Sequence, residues 1–261
     1  KPTLDFVGLS TDNIWNNRWA KLGEHGSIDI NASEDLLSLD LSIYENSVIE
    51  DWINPRRINH LYTFTDSDQE GIIEFEIIFS DSSGNKGDTV YSTTNDSYIV
   101  FDKTSPSDFN VGNVSSIGGN IVTSFWNSTN TGLDVIVPID NDSTLDSGRV
   151  QLFAKTGENI FEILGGYEFI LPDEVNFTKE ISINRNHIEA ITDYGQDEII
   201  TIRAIIYDIP GNQVTGTESS SYLTIEETLP TINYLSYSSN FSDTTLATVG
   251  HEITIIMRTN E

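Results

Sequence analysis

Hydrophobic and polar residues alternate along most of the chain. The alternation is clear in residues 27–30, 37–43, 72–79, 133–137, 148–153 and 198–207, and a period of two puts every second side chain on one face, as in a half-buried β-strand. These runs are rich in β-branched and aromatic residues, and clusters of Gly, Asn, Asp and Ser separate them, which is how strands joined by turns are punctuated. No long run carries a helical period with caps. Short helices are admitted only over residues 11–20 and 184–190, so the pattern predicts an all-β chain.

Two features recur. Phe79-Ser80-Asp81-Ser82-Ser83-Gly84-Asn85 follows one apolar run and Tyr207-Asp208-Ile209-Pro210-Gly211-Asn212 follows another, each ending in Asp-x-x-Gly-Asn. Asp102-Lys103-Thr104-Ser105-Pro106 and Glu226-Glu227-Thr228-Leu229-Pro230 both end in Thr-x-Pro after a short apolar run. Repetition at this spacing divides the chain into units over residues 1–103, 104–228 and 229–261. The third is expected to be only a beginning, because Ala247-Thr248-Val249-Gly250 and Ile253-Thr254-Ile255 echo Ala20-Lys21-Leu22-Gly23 and Ile28-Asp29-Ile30. Units of this length with about seven short strands predict tandem two-sheet sandwiches.

Composition narrows the partners. The chain has 261 residues and is 37% hydrophobic, enough apolar material for two cores of ordinary domain size. Its 41 acidic residues against 13 Lys and Arg give a formal charge of −28, which repels nucleic acid and anionic lipid and attracts cations. Without cysteine there is no disulfide, thiolate metal site or Cys nucleophile. No apolar run reaches the ~18 residues a membrane helix needs. Nucleophile elbows, phosphate-binding Gly loops and His-Glu-x-x-His zinc motifs are absent from the sequence, and the reading is of a non-enzymatic chain.

The succession of a strand, Asp-x-x-Gly-Asn, a further strand and Asp-x-Thr-x-Pro resembles the tandem bacterial Ig-like repeats of large cell-surface adhesins and surface-layer-type proteins. The resemblance covers both complete units and the start of the third, with Glu226 standing where that family has Asp. It implies Ig-like β-sandwiches stacked in an extracellular stalk, with neighbouring repeats of the same chain as the first partners. Other surface proteins, glycans or lattice copies are the further partners it implies. In such a sandwich the loop after strand F lies at the pole of the unit's N-terminus, and strand G delivers the chain to the other pole.

That strand order gathers carboxylates at the junctions. Asp102, with Asp66 and Asp68 from the loop before strand F, is expected to face Asp208 and Asp140 of the second unit, joined by Asp142. Asp193 and Glu226, with Asp197 and Glu227, are expected to face the third unit and its Glu261, while Asp81 and Glu34 are expected to face a preceding one. Carboxylates gathered without Lys or Arg among them repel unless a cation lies between, and hard oxygen donors in flexible loops select Ca²⁺ over Zn²⁺ or Mg²⁺. Each Asp is equally a turn residue whose side chain bonds its own backbone. Trp15, Trp19, Trp52 and Trp126 leave open a carbohydrate-binding module, against core or rim packing; a surface-layer lattice is the other alternative.

Overall fold

The computed structural model describes residues 1–44, 46–48 and 51–260, which leaves Glu261 outside the described residues. In the first unit, strands Leu4–Thr11, His25–Ala32, Arg57–Thr63 and Asp51–Asn54 lie side by side in that order. A second sheet runs Asn46–Val48, Leu36–Ile43, Phe75–Asp81, and a bridge from Ile77 to Val90 extends it. Lettered along the chain, the sheets are A-B-E-D and C′-C-F-G, the strand order of an Ig-type sandwich.

The second unit repeats this order. Val114–Ile117, Gly132–Pro138 and Thr178–Asn184 form its A-B-E sheet. The other sheet sets Glu162–Phe169, Arg149–Thr156 and Ile199–Tyr207 beside Gln213–Thr215 and Leu223–Ile225, which are C′, C, F and a divided G. Alternation explains the packing. Ile28 and Ile30 point inward against Leu39, Leu41 and Ile77 in one core, and Leu133, Val135 and Ile181 meet Leu152, Ile202 and Ala204 in another. The two cores share no residue, so each sandwich buries its own interior.

Both units contain a short parallel patch between the A–B connection and strand G. Trp19–Ala20 pairs with Val100–Phe101, and Phe125–Trp126 pairs with Leu223–Ile225 through Thr224 and Ile225. The expected single strand over residues 72–79 is divided for this reason. Gly71–Ile72 pairs with Val100–Phe101 and the N–H of Ile73 bonds Ile99, so the chain changes partners before Phe75–Asp81 joins strand Leu36–Ile43.

Of the two short helices the sequence admits, one forms. Arg185–Glu189 is a single turn whose N-cap, Asn184, accepts the N–H of His187. Over residues 11–20 no helix forms: between the strands ending at Thr11 and starting at Trp19, residues 12–18 are a loop, because the Asn13 carboxamide oxygen accepts the N–H groups of Trp15 at 2.8 Å and Asn16 at 2.9 Å, an Asx-type competitor to the helix. Residues 232–259 fold as one antiparallel hairpin, Ile232–Ser239 with Ile253–Thr259. No helix among the described residues is long and apolar enough to cross a membrane.

Candidate functional site at the junction of the two units

The chain leaves the first sandwich through Val100–Phe101 and meets the second at the turn after strand F. Asp208 builds that turn: its Oδ1 accepts the N–H groups of Gly211 at 2.8 Å and Asn212 at 2.7 Å, and its Oδ2 accepts the Asn212 amide at 3.0 Å. The same amide donates to the main-chain carbonyl of Asp102 at 3.0 Å. The two residues, 106 positions apart in the sequence, are thus brought together across the joint as strand order requires.

Both carboxylates are buried, at 7% exposure for Asp102 and 1% for Asp208. Desolvation pushes the Asp208 carboxyl up to about 7, with the charge of Asp102 adding to it against the bonds from the turn. Asp102 is pushed up to about 6, again first by desolvation, with Glu70 and Asp142 as further negative neighbours. Its Oδ1 accepts the N–H of Thr104 at 3.0 Å, but its Oδ2 is buried without a hydrogen-bond partner. A buried carboxylate oxygen without an N–H or O–H donor is costly, and here the group facing Asp102 is the Glu70 carboxyl, to which it hydrogen-bonds when one of the pair holds a proton.

The other expected ligands are placed differently. The Asp68 carboxylate is consumed by the Tyr62 hydroxyl at 2.5 Å and by the N–H and hydroxyl of Thr65 at 2.6 and 3.1 Å. The Asp66 side chain is exposed, 3.6 Å from Lys103 Nζ. Asp140 bonds the N–H of Asn141, and Asp142 caps Thr144 through its N–H and hydroxyl. The expectation of a joint without cations is wrong: Lys103 donates to the carbonyls of Asp66 and Asp68, and Lys21 donates to the carbonyl of Gly211 at 2.9 Å.

At the remaining poles the aspartates serve turns. Asp81 accepts the N–H groups of Ser83 and Asn85 and the Asn85 amide, at 2.7–2.9 Å. Asp193 sits at positive φ and takes the Asn159 amide. Glu226 takes the Gln196 amide at 2.6 Å and the N–H of Thr228, and Glu227 is paired with Arg185. Among the described residues, no three Asp, Glu or His side chains are arranged to hold a metal ion. The donor type at the joint therefore suits Ca²⁺, while the placed donors do not close a shell around one.

What the sequence did not reveal is an aromatic lock beside the acids. Trp15, half-buried in the A–B loop of the first unit, stands edge-on to Tyr207 at 5.2 Å and Tyr167 at 6.3 Å, both from the second unit. The Arg149 guanidinium lies 4.2 Å from its ring centre. The indole also lies on Gly211, where an added Cβ would approach Trp15 Cζ3 to 2.6 Å. Buried Asn13, which shapes the Trp15 turn, donates to the carbonyl of Pro210 at 2.7 Å. Such aromatic, cation–π and hydrogen-bonded contacts contribute on the order of 1 kcal/mol each, and they act against the strain of the two buried carboxylates.

The four tryptophans are now accounted for individually. Trp126 is fully buried in the second core, its N–H donating to the Tyr194 hydroxyl at 2.6 Å, and Trp19 is half-buried in its parallel patch. Trp15 is taken by the joint, and Trp52 is 40% exposed.

No family model and no curated protein matches the sequence. Solved structures do match. The chain is similar to the FN1–FN3 domains of chicken CNTN1, at 10% identity and a TM-score of 0.35, over 80% of this chain and 65% of that one. It is also similar to the human OSCAR ligand-binding domain, at 8% identity and 0.30, over 84% and 97%. A third is the Bacteroides ovatus mixed-linkage glucan utilization locus protein SGBP-B, in complex with a mixed-linkage heptasaccharide, at 11% and 0.23, over 88% and 48%. The Ig-like assignment rests on the strand order itself.

Proposed function

We propose that the chain is a non-enzymatic segment of an extracellular stalk, in which Ig-like sandwiches are joined pole to pole and Ca²⁺ bound between Asp102 and Asp208 neutralises the joint. The observation that carries the metal is the buried Oδ2 of Asp102, which no N–H or O–H donor reaches, with the Glu70 carboxyl beside it and Asp208 close enough to feel its charge. The observation that supports the stalk is the joint itself, where the loops ending one sandwich sit on the turn that opens the next. The resemblance to adhesin repeats points to the cell surface as the setting.

The residues would hold the ion through carboxylate oxygens, and its charge would offset the repulsion that raises both pKa values. Titration calorimetry with CaCl₂ on the whole chain is expected to give a binding heat that Asp102→Asn removes. At about 100 times its Kd, a ligand of the folded state adds about 2.7 kcal/mol of stability, read as a higher unfolding midpoint. No heat and no change of midpoint would exclude calcium at this joint while leaving the stalk reading to be judged on extension of the molecule by scattering.

A further inference from the structure

The box that receives Trp15 belongs to the second unit alone. Aligning the two Asp-x-x-Gly-Asn turns sets Tyr207 against Ser80 and Gly211 against Gly84, and strand pairing then sets Arg149, the partner of Tyr207, against Ser38, the partner of Ser80. Ser38 and Ser80 simply bond each other at 2.7 Å. Gly84 has nothing within 4 Å of where a Cβ would stand. The first unit thus has the turn without the box.

The indole is equally particular to the first unit. The parallel patches align Trp19 with Phe125 and Ala20 with Trp126, and counting back places Ile121 where the first unit has Trp15. Ile121 is 63% exposed. The second unit therefore ends in a loop of the same position that offers no aromatic ring.

We propose that Trp15 and the Arg149–Tyr167–Tyr207 box form a docking interface matched to this one pair of units, which closes the joint without any metal. The interface is complementary in chemistry as well as shape. A flat indole meets a guanidinium face and two phenol edges, and Asn13 and Lys21 of the same loop satisfy the carbonyls of Pro210 and Gly211. The aspartate side chains make no hydrogen bond across the joint: those that Asp208 accepts come from Gly211 and Asn212 of its own turn, and only the main-chain carbonyl of Asp102 is held from the other side. Calcium, as read above, lowers the charge at a joint already shut, and this proposal rests on that reading only for where the joint lies.

The absence of native cysteine allows a clean test. Ser92→Cys in the first unit and Ser128→Cys in the second, both exposed, take a pair of spin labels for distance measurement on the whole chain. In EGTA the labelled protein is expected to give one narrow distance distribution. Trp15→Ala is expected to broaden it, and so is Arg149→Ser with Tyr207→Ser, which gives the second unit the residues of the first; circular dichroism confirms that each variant keeps its strands. A distribution that is broad in EGTA and narrows only with CaCl₂ would overturn the proposal, as would Trp15→Ala leaving a narrow distribution unchanged. Failure of calcium to bind, with the distribution narrow throughout, would sink the calcium reading and leave this interface standing.

Discussion

Asp81 and Asp208 each receive two backbone N–H groups and an asparagine amide within the same turn, and their acidities move in opposite directions. The Asn85 amide and N–H, with that of Ser83, hold Asp81 below the usual carboxylate range, whereas desolvation, with the charge of Asp102 added, drives Asp208 to about 7. Asp102 moves the same way, to about 6. Because these two folded-state values are raised above the ~3.9 of a free Asp, the folded chain binds more protons, and the stability they contribute is present below pH ~4 and lost as pH rises through 6 to 7. In EGTA, the double variant Asp102→Asn, Asp208→Asn is expected to flatten that part of the stability–pH curve relative to the parent, measured by urea unfolding between pH 4 and 8. The glycines of the two turns make a second comparison. Both sit at positive φ, so alanine costs about 1–2 kcal/mol at either. Only Gly211→Ala also displaces the indole. It is expected to release Trp15, seen as a changed tryptophan emission that Gly84→Ala does not produce.

At the scale of elements, Trp126 shows what a two-residue strand can carry. Its ring is sealed in the second core and its N–H bonds Tyr194, so Trp126→Ala is expected to cost the second unit about 3–5 kcal/mol, read as an earlier denaturant transition for that unit with the first unchanged. The hairpin over residues 232–259 is the opposite case. In the first unit, strands Leu4–Thr11 and His25–Ala32 have Arg57–Thr63 beside them and a second sheet to pack on, while Leu235, Ile255 and Met257 of the hairpin stay more than half exposed. Deleting residues 229–261 is expected to leave both sandwiches folded and to lower binding of a hydrophobic dye. The strands B and F were legible because strict alternation survives where one face is buried. Glu162–Phe169 was not, since Gly165 and Gly166 interrupt it at a register shift, and an edge strand needs no strict alternation. The turn aspartates could be read from Gly-Asn three and four residues on. That the turn of Asp208 would carry an indole from the other unit could not, because Trp15 lies 193 residues away in the chain.

For the molecule as a whole, a net charge of −28 works against compactness while two separate cores and one lock work for it. Salt screens the first and leaves the others nearly untouched. Raising NaCl from 10 to 150 mM in EGTA is therefore expected to raise the unfolding midpoint, and the gain is expected to shrink in Trp15→Ala if part of it comes from easing the acids at the joint. Under the proposed stalk function the parallel patches acquire a meaning of their own. Tension enters a sandwich at its first strand and leaves by strand G, so Trp19–Ala20 and Val100–Phe101 are drawn past one another along their length. Their main-chain bonds, Val100 to Arg18 at 2.8 Å and Asp102 to Ala20 at 3.0 Å, lie across the pull and are strained together, where an unzipping pair would yield one bond at a time. The second unit repeats the arrangement with Thr224 to Ser124 and Glu226 to Trp126. In a stalk each patch would act as a shear clasp, and in the first unit the residue that follows it, Asp102, is also the one whose carbonyl holds the next unit.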